Sequence, residues 1–390
     1  MADEQVRAFG SVTPLKVGFL NDYPTRADTA NDTVDTLRMI LDEAVGSGLI
    51  DRAAELVQRE VVGLPNGTYK AVERAFDELV EEGCLVIFGP YVSDNAVPLR
   101  AHVDNVAEVP IIVLSGSEGA LGEWCFALNN GSMPEEPRML ASILCGDGHR
   151  RIAIARESSL IGKEYLHFAE KAYTDAGLQL VATVAIPQVE ADKVEAVAAL
   201  RGADPDAIVH VGFGHGLWGF NDALAAANWD PPRYTTTAFE MAHINEDWMR
   251  HLAGWIGLDS YDERNRVGQD FLDRFEARYG RRPGYFMPCL CHDVATVIAY
   301  GLAGARPLTG AGVKEAMEDI KLIPSASGAP GTCLRFGRYI RQGWMGVDYL
   351  VARRVLPDAS GHVFHAAPSS NISRLPTITS LTGEHRTPAR

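Results

Sequence analysis

The chain has 390 residues, 46% of them hydrophobic and 22% charged, with a formal net charge of −15. That length exceeds one ordinary core and argues for two domains, and the acidity excludes a nucleic-acid partner or attraction to anionic lipid. No apolar run approaches bilayer-spanning length, and the acidic N-terminus (Met1 to Gln5) lacks the apolar stretch of a secretory leader.

Taken in chain order, the pattern reads as one βα scheme told twice. Lys16–Leu20 is a buried strand, followed by the polar loop Asn21-Asp22-Tyr23-Pro24-Thr25 and a helix over about Thr29 to Val45. Leu56–Val62 reads as a strand and Tyr69–Glu81 as a helix ended by Gly83. Leu85–Phe88 is a continuous apolar run, as a strand buried on both faces requires. Gly89–Asp94 breaks it and opens another helix. Pro110–Leu114 is the next strand, ending in Ser115-Gly116-Ser117-Glu118-Gly119, and Phe126–Asn129 is short and extended.

After Gly131–Pro137 the alternation repeats. Strands are expected at Ile152–Ala155, Leu180–Ile186, Ala207–Val211, Tyr234–Ala238 and Trp255–Leu258. Helices fall at about Lys163–Ala176, Asp192–Ala199, Trp218–Ala226 and Asn245–Leu252. Three more helices follow Tyr261, near Val267–Tyr279, Cys291–Ala303 and Ala311–Asp319. Then Cys333–Ile340 and Trp344–Val351 read as a hairpin around Arg341-Gln342-Gly343. The fold class expected is α/β, with two Rossmann-like lobes. Lobe one comprises 1–130 plus 262–325, lobe two and hinge comprise 131–261 plus 326–365, and 366–390 form a flexible tail. Such a chain crosses between lobes three times, near 130, 260 and 325, which makes a hinge suited to closure.

No catalytic set emerges. Ser117, in Ser-Gly-Ser-Glu-Gly, narrowly misses the nucleophile elbow Gly-x-Ser-x-Gly, and no His-Glu-x-x-His occurs. Cys289-Leu290-Cys291-His292 has the wrong spacing for a zinc clamp, and no second pair follows. The six cysteines show no framework spacing and read as reduced thiols. Gly214-His215-Gly216-Leu217-Trp218-Gly219 follows a strand, opens a helix and precedes Glu240 by about twenty residues, which is the dinucleotide fingerprint by spacing. Trp218 stands where a pyrophosphate should approach, so the alternative is a glycine loop passing close to a cleft ligand. The other strand-end positions are polar and aromatic: Tyr23, Tyr91, Ser93, Ser115, Gly116, Ser117, Glu118, His215, Trp218, Phe239, Glu240, Asp259 and Tyr261. Ser93 alone also suits a helix cap. As a set they supply hydroxyls, carboxylates and aromatic walls to one cleft, the make-up of a small-molecule site.

Residues 15 to 355 resemble the type I periplasmic-binding-protein fold, nearest its leucine/isoleucine/valine-binding branch and the cytoplasmic amide-sensing relatives. The resemblance rests on the order and spacing of Lys16–Leu20, Val86–Ser93, Val109–Ser115, Arg151–Ala155 and Asp204–Val209. It implies that Ser93 and the Ser115–Ser117 segment hold a ligand's polar head, that Trp218 or Phe239 covers it, and that Glu240 takes an ammonium. The expectation is a non-catalytic, cofactor-free receptor for an amide, amino acid or related metabolite, acting as a cytoplasmic sensor on a regulatory protein. The alternative is the solute-binding component of a branched-chain amino-acid-type ABC transporter, which meets a permease and lies outside the cytoplasm if a leader has been removed. An NAD-dependent enzyme built on Gly214–Gly219 is the second alternative. Homodimerisation through lobe-one helices is a further expectation from the resemblance.

Overall fold

The computed structural model describes residues 13–24, 27–189, 191–240, 242 and 246–365. The segment 366–390, expected to be a flexible tail, lies outside the described residues. Two sheets carry the fold. The first is wholly parallel, built from β1 (Leu15–Asn21), β2 (Ala54–Glu60), β3 (Val86–Phe88), β4 (Ile111–Val113) and β5 (Cys125–Ala127) in the order β2-β1-β3-β4-β5. The second contains β6 (Arg151–Glu157), β7 (Gln179–Ile186), β8 (Ala207–Val211), β9 (Arg233–Thr235) and β10 (Ile256–Asp259). Its parallel part runs β7-β6-β8-β9-β10, the same order as the first sheet. Two short strands, β11 (Ile323–Pro324) and β12 (Cys333–Leu334), form a separate ribbon. Finally β13 (Val351–Val355) and β14 (His362–Phe364) extend the second sheet antiparallel beyond β10.

The helices follow from what each sheet must cover. Strand side chains alternate, so one face of the first sheet presents Val17, Phe19, Val86, Phe88 and Ile112, and the other Ile87, Ile111 and Val113. Helices α1 (Ala27–Gly46), α2 (Tyr69–Glu81) and α3 (Ser93–His102) divide between these faces. Leu37, Ile40 and Leu41 of α1 pack with the first set, and Val72, Phe76 and Leu79 of α2, with Leu99 of α3, pack with the second. Gly18 is glycine because a Cβ there would stand 2.8 Å from Ile87. In lobe two, α4 (Glu135–Gly146) and α5 (Leu160–Asp175) cover one face. On the other, α6 (Val194–Gly202) and α7 (Phe220–Ala226) pack around Trp255, and α8 (Glu246–His251) follows. At roughly 1.5–3 kcal/mol for each large apolar side chain buried, these faces dominate the stability of both lobes.

The helices after β10 go back to lobe one. α9 (Arg266–Tyr279) lies along α1, with Arg274 paired to Glu43 and Arg278 to Asp42. α10 (Phe286–Gly304) also packs on α1, and α11 (Gly310–Glu318) packs on α10. By length and composition α10 meets the requirement for a membrane span, contrary to the expectation that no run approaches it. Yet 78% of its apolar window is buried in the protein, as for a core helix. The chain therefore passes between the sheets after β5, after β10 and between β12 and β13. Asn129 ties the first passage to the third, donating to Tyr349 Oη and accepting from Gln342, while its carbonyl takes the Trp344 indole N–H. Asn265 ties the second to the third by donating to the carbonyls of Ser325, Ser327 and Gly328.

The expected hairpin around residues 341–343 is not formed. Leu334 and Trp344 meet in a single antiparallel bridge, Gln342 bridges in parallel to Ala127, and the strand of this region starts only at Val351. A Cβ at Gly343 would stand 2.5 Å from Phe336 and 2.6 Å from Leu128, so only glycine fits there.

Candidate functional site

In open parallel sheets a ligand sits beyond the carboxyl ends of the strands, where the strand order reverses. Here each sheet reverses at its first strand, between β1 and β3 and between β6 and β8. The two reversal points face one another across a single cavity of about 100 Å³. At roughly 10–15 Å³ for each water-sized sphere, that accommodates a ligand of about seven to ten non-hydrogen atoms.

Lobe one contributes Phe19, Asn21, Tyr23, Tyr91, Ser93 and Gly116 to the lining, and Phe286 and Met287 from the start of α10. The first hinge passage adds Asn130 and Met133. Lobe two adds Ile161, Tyr165, Gly212, Phe213, Thr237 and Glu240. No lysine or arginine is among these residues.

The lobe-one end is polar and firmly held. Asp22, buried just past β1, accepts hydrogen bonds from the N–H groups of Tyr91 (2.6 Å) and Val92 (3.3 Å) and from Asn95 Nδ2 (2.7 Å). Burial outweighs these bonds and pushes the Asp22 carboxyl up to about 6. The turn it fixes places Ser93 at the first residue of α3, where Ser93 does not cap the helix through its side chain. Its Oγ instead accepts from Ser115 Oγ at 2.8 Å. That arrangement leaves the Ser93 hydroxyl proton available to an acceptor in the cavity.

The lobe-two end is acidic. Glu240 is 2% exposed, and its Oε1 accepts from both the N–H (2.9 Å) and the hydroxyl (2.6 Å) of Ser260. Its Oε2 is buried with no hydrogen-bond partner among the described residues. Burial and the neighbouring Asp259 and Glu136 carboxylates push its pKa well above the ordinary value. Glu136 accepts from Ser132 N–H, Thr237 N–H, Thr237 Oγ1 and Tyr165 Oη, and burial pushes it up to about 7.

Two contacts close the cleft. Tyr23 Oη lies 2.7 Å from His215 Nε2, and its ring meets Phe213 edge-on. Burial raises the Tyr23 phenol to about 12 and lowers His215, so the phenol donates to a neutral imidazole. Elsewhere on the rim, Glu164 of α5 accepts from Ser117 Oγ at 2.5 Å and from Glu118 N–H at 3.2 Å.

Of the positions singled out in the sequence, Tyr23, Tyr91, Ser93, Gly116 and Glu240 line the cavity, and Ser115 backs Ser93. Ser117, Glu118 and His215 belong to the closing contacts. Four others lie off the lining. Trp218 packs outside it on His215 and Trp248, and Phe239 is buried in the lobe-two core. Asp259 pairs with Arg353 at 2.9 Å, and Tyr261 meets that guanidinium through its carbonyl. Sequence reasoning missed Asn130, Met133, Tyr165, Thr237 and Met287, which come from the hinge passage, from helices and from a short helical turn. Phe213 was reachable, since it lies two residues past the end of β8.

The dinucleotide reading of Gly214–Gly219 fails on geometry. Glu157, at the end of β6, is fully buried inside that loop. Its carboxylate accepts from the N–H groups of Phe213 (2.8 Å), Gly214 (2.9 Å) and Gly216 (2.8 Å), and His210 adds a fourth contact at 3.3 Å. A Cβ at Gly212 or Gly216 would stand 2.3 or 2.8 Å from the Glu157 side chain. The glycines therefore make room for an internal carboxylate, and the N–H groups that would hold a pyrophosphate already hold Glu157. The cysteines are free, and among the described residues no group of His, Cys, Asp or Glu is arranged to hold a metal ion.

The sequence profile described as periplasmic binding protein matches residues 14–346. A search of curated proteins finds no match. Among solved structures, a type 1 periplasmic binding protein from Bordetella pertussis Tohama I is similar at 17% identity and a TM-score of 0.76, over 90% of this chain and 100% of that one. A leucine-binding protein from Thermotoga maritima gives 14% identity and a TM-score of 0.76 over 90% and 98%. An ABC-transporter solute-binding protein from Rhodopseudomonas palustris, in complex with 3,4-dihydroxybenzoic acid, gives 15% and 0.72 over 91% and 96%. At such identities these structures establish a shared two-lobed fold.

Proposed function

Since the chain belongs to the periplasmic binding protein family, we propose that it is a non-catalytic receptor that closes its lobes around one small, polar-headed molecule. The observation that carries this reading is the interlobe cavity, with Ser93 at one end and Glu240 at the other. A ligand touching both lobes binds the closed form better than the open one, and that difference alone drives closure. Among the described residues the lining holds no lysine or arginine, which disfavours anionic ligands. Small amides and amino acids fit the volume and the polar ends.

Two roles use such a receptor. One is a sensor whose closure alters contact with a regulatory protein. The other is the solute-binding component of an ABC transporter, which delivers its ligand to a permease. Solved structures of similar fold that carry leucine-binding and ABC-transporter names favour the second. A thermal-shift screen of amides, amino acids, ureas and aromatic acids tests the receptor reading. A true ligand at a hundred times its Kd adds about 2.7 kcal/mol and raises Tm by several degrees. Tryptophan fluorescence should change with it, because Trp218 and Trp248 adjoin the Tyr23–His215 contact across the cleft. A panel in which no compound moves either signal sinks the reading.

A further inference from the structure

Among the described residues, three side chains of the cavity lining carry a buried polar atom with no hydrogen-bond partner: Tyr91 Oη, Asn130 Oδ1 and Glu240 Oε2. Resting on the receptor reading above, we propose that Glu240 acts as a neutral acid whose Oε2–H donates to the carbonyl oxygen of an uncharged carboxamide, while Asn130 Oδ1 accepts that ligand's N–H.

The geometry assigns the proton. Oε1 already accepts two hydrogen bonds from Ser260, so a proton on this carboxyl resides on Oε2, the oxygen with no partner among the described residues. The charges around it favour that protonated state. Asp259 on β10 and Glu136 on α4 are the acidic groups nearest Glu240. Arg353 on β13, the guanidinium that pairs with Asp259, is engaged by Asp259 at 2.9 Å and by Glu263 at 2.5 Å. Tyr165 on α5 spends its hydroxyl on Glu136. An ionised Glu240 would therefore be a buried charge beside other carboxylates with no cation of its own, which burial strongly disfavours. A neutral acid presents a donor, and the asparagine presents an acceptor. A carboxamide offers the complementary acceptor and donor on adjacent atoms, whereas a carboxylate would leave Asn130 unpaired and an ammonium would require Glu240 to lose its proton.

The test uses the full chain with isovaleramide and L-leucine as probes. Infrared spectra of protein carrying 13C-labelled glutamate should show a protonated-carboxyl band at pH 7.5 that disappears in Glu240→Gln. Titration calorimetry in phosphate and in Tris should show isovaleramide binding with no buffer-dependent heat, and Glu240→Gln, which keeps both a donor and an acceptor, should bind it within about threefold of wild type. Should Glu240→Gln not fold, the persistence of the band in Glu136→Gln, which removes the other buried glutamate of raised pKa, decides the protonation state. An absent band overturns the proposal, as does L-leucine binding with release of about one proton and a loss of about a hundredfold in Glu240→Gln. A band without binding of either probe overturns the carboxamide assignment, and the wider thermal-shift panel then decides separately whether the protein is a receptor at all.

Discussion

Ser93 and Glu136 show how individual side chains set the behaviour of the site. Ser93 receives a hydrogen bond from Ser115 and keeps its own proton for the cavity. Ser93→Ala should weaken ligand binding about threefold to tenfold, the worth of one neutral hydrogen bond, with Tm nearly unchanged. Trp218→Ala, outside the lining, should change the affinity by less than about threefold. Equal losses in the two variants would contradict this placement. Glu136 titrates near 7 in the folded protein against 4.5 when exposed. The native state therefore binds more protons than the unfolded chain between those values, and stability falls as pH rises through the window, by on the order of 3 kcal/mol. Melting curves from pH 4.5 to 8 should show Tm falling with pH. Glu136→Gln should flatten that fall while lowering Tm throughout, because its amide donors face the Thr237 N–H. An unchanged slope in the variant refutes the assignment. Asp22, pushed up to about 6, works in the same direction.

Among elements, the loop after β8 is the most self-contained. Three backbone N–H groups and His210 converge on one buried carboxylate. Glu157→Ala should cost about 3–5 kcal/mol in urea unfolding, the usual penalty for stripping a buried charge from its partners, and should displace Phe213 and His215. A loss below about 1 kcal/mol would show that the loop folds without it. Regular elements with strong periodicity were legible in the sequence: α2 was read with its observed bounds, and β8 likewise. Helix α10 was read from Cys291 but starts at Phe286, because Pro288 lies in its first turn, where no intrahelical donor is lost. The β13–β14 pair was missed because Arg353, an arginine amid the strand, is buried against Asp259 and Glu263 and hides the apolar alternation.

At the scale of the molecule, a βα scheme repeated in two lobes was readable because each half repeats the same alternation of apolar runs and amphipathic helices, whereas the strand order of each sheet was not read. Which residues meet across the gap was less readable, since the hinge passages and helix starts that supply Asn130, Met133, Tyr165 and Met287 carry no strand-end signature. Of the closing contacts, Glu164 sits on the rim, and Tyr23 reaches His215 through the hydroxyl that Tyr23→Phe removes while its ring stays in the cavity wall. Tyr23→Phe combined with Glu164→Ala should speed ligand dissociation about tenfold in stopped-flow fluorescence while preserving the rank order of ligands. A changed rank order would place these groups in recognition itself. Glu157 has a consequence of a different kind. A bare ring of glycine amides at a strand end would be a standing invitation to nucleotides and sugar phosphates. By plugging that ring with its own carboxylate, the protein leaves those amides no hydrogen bonds to offer a phosphate.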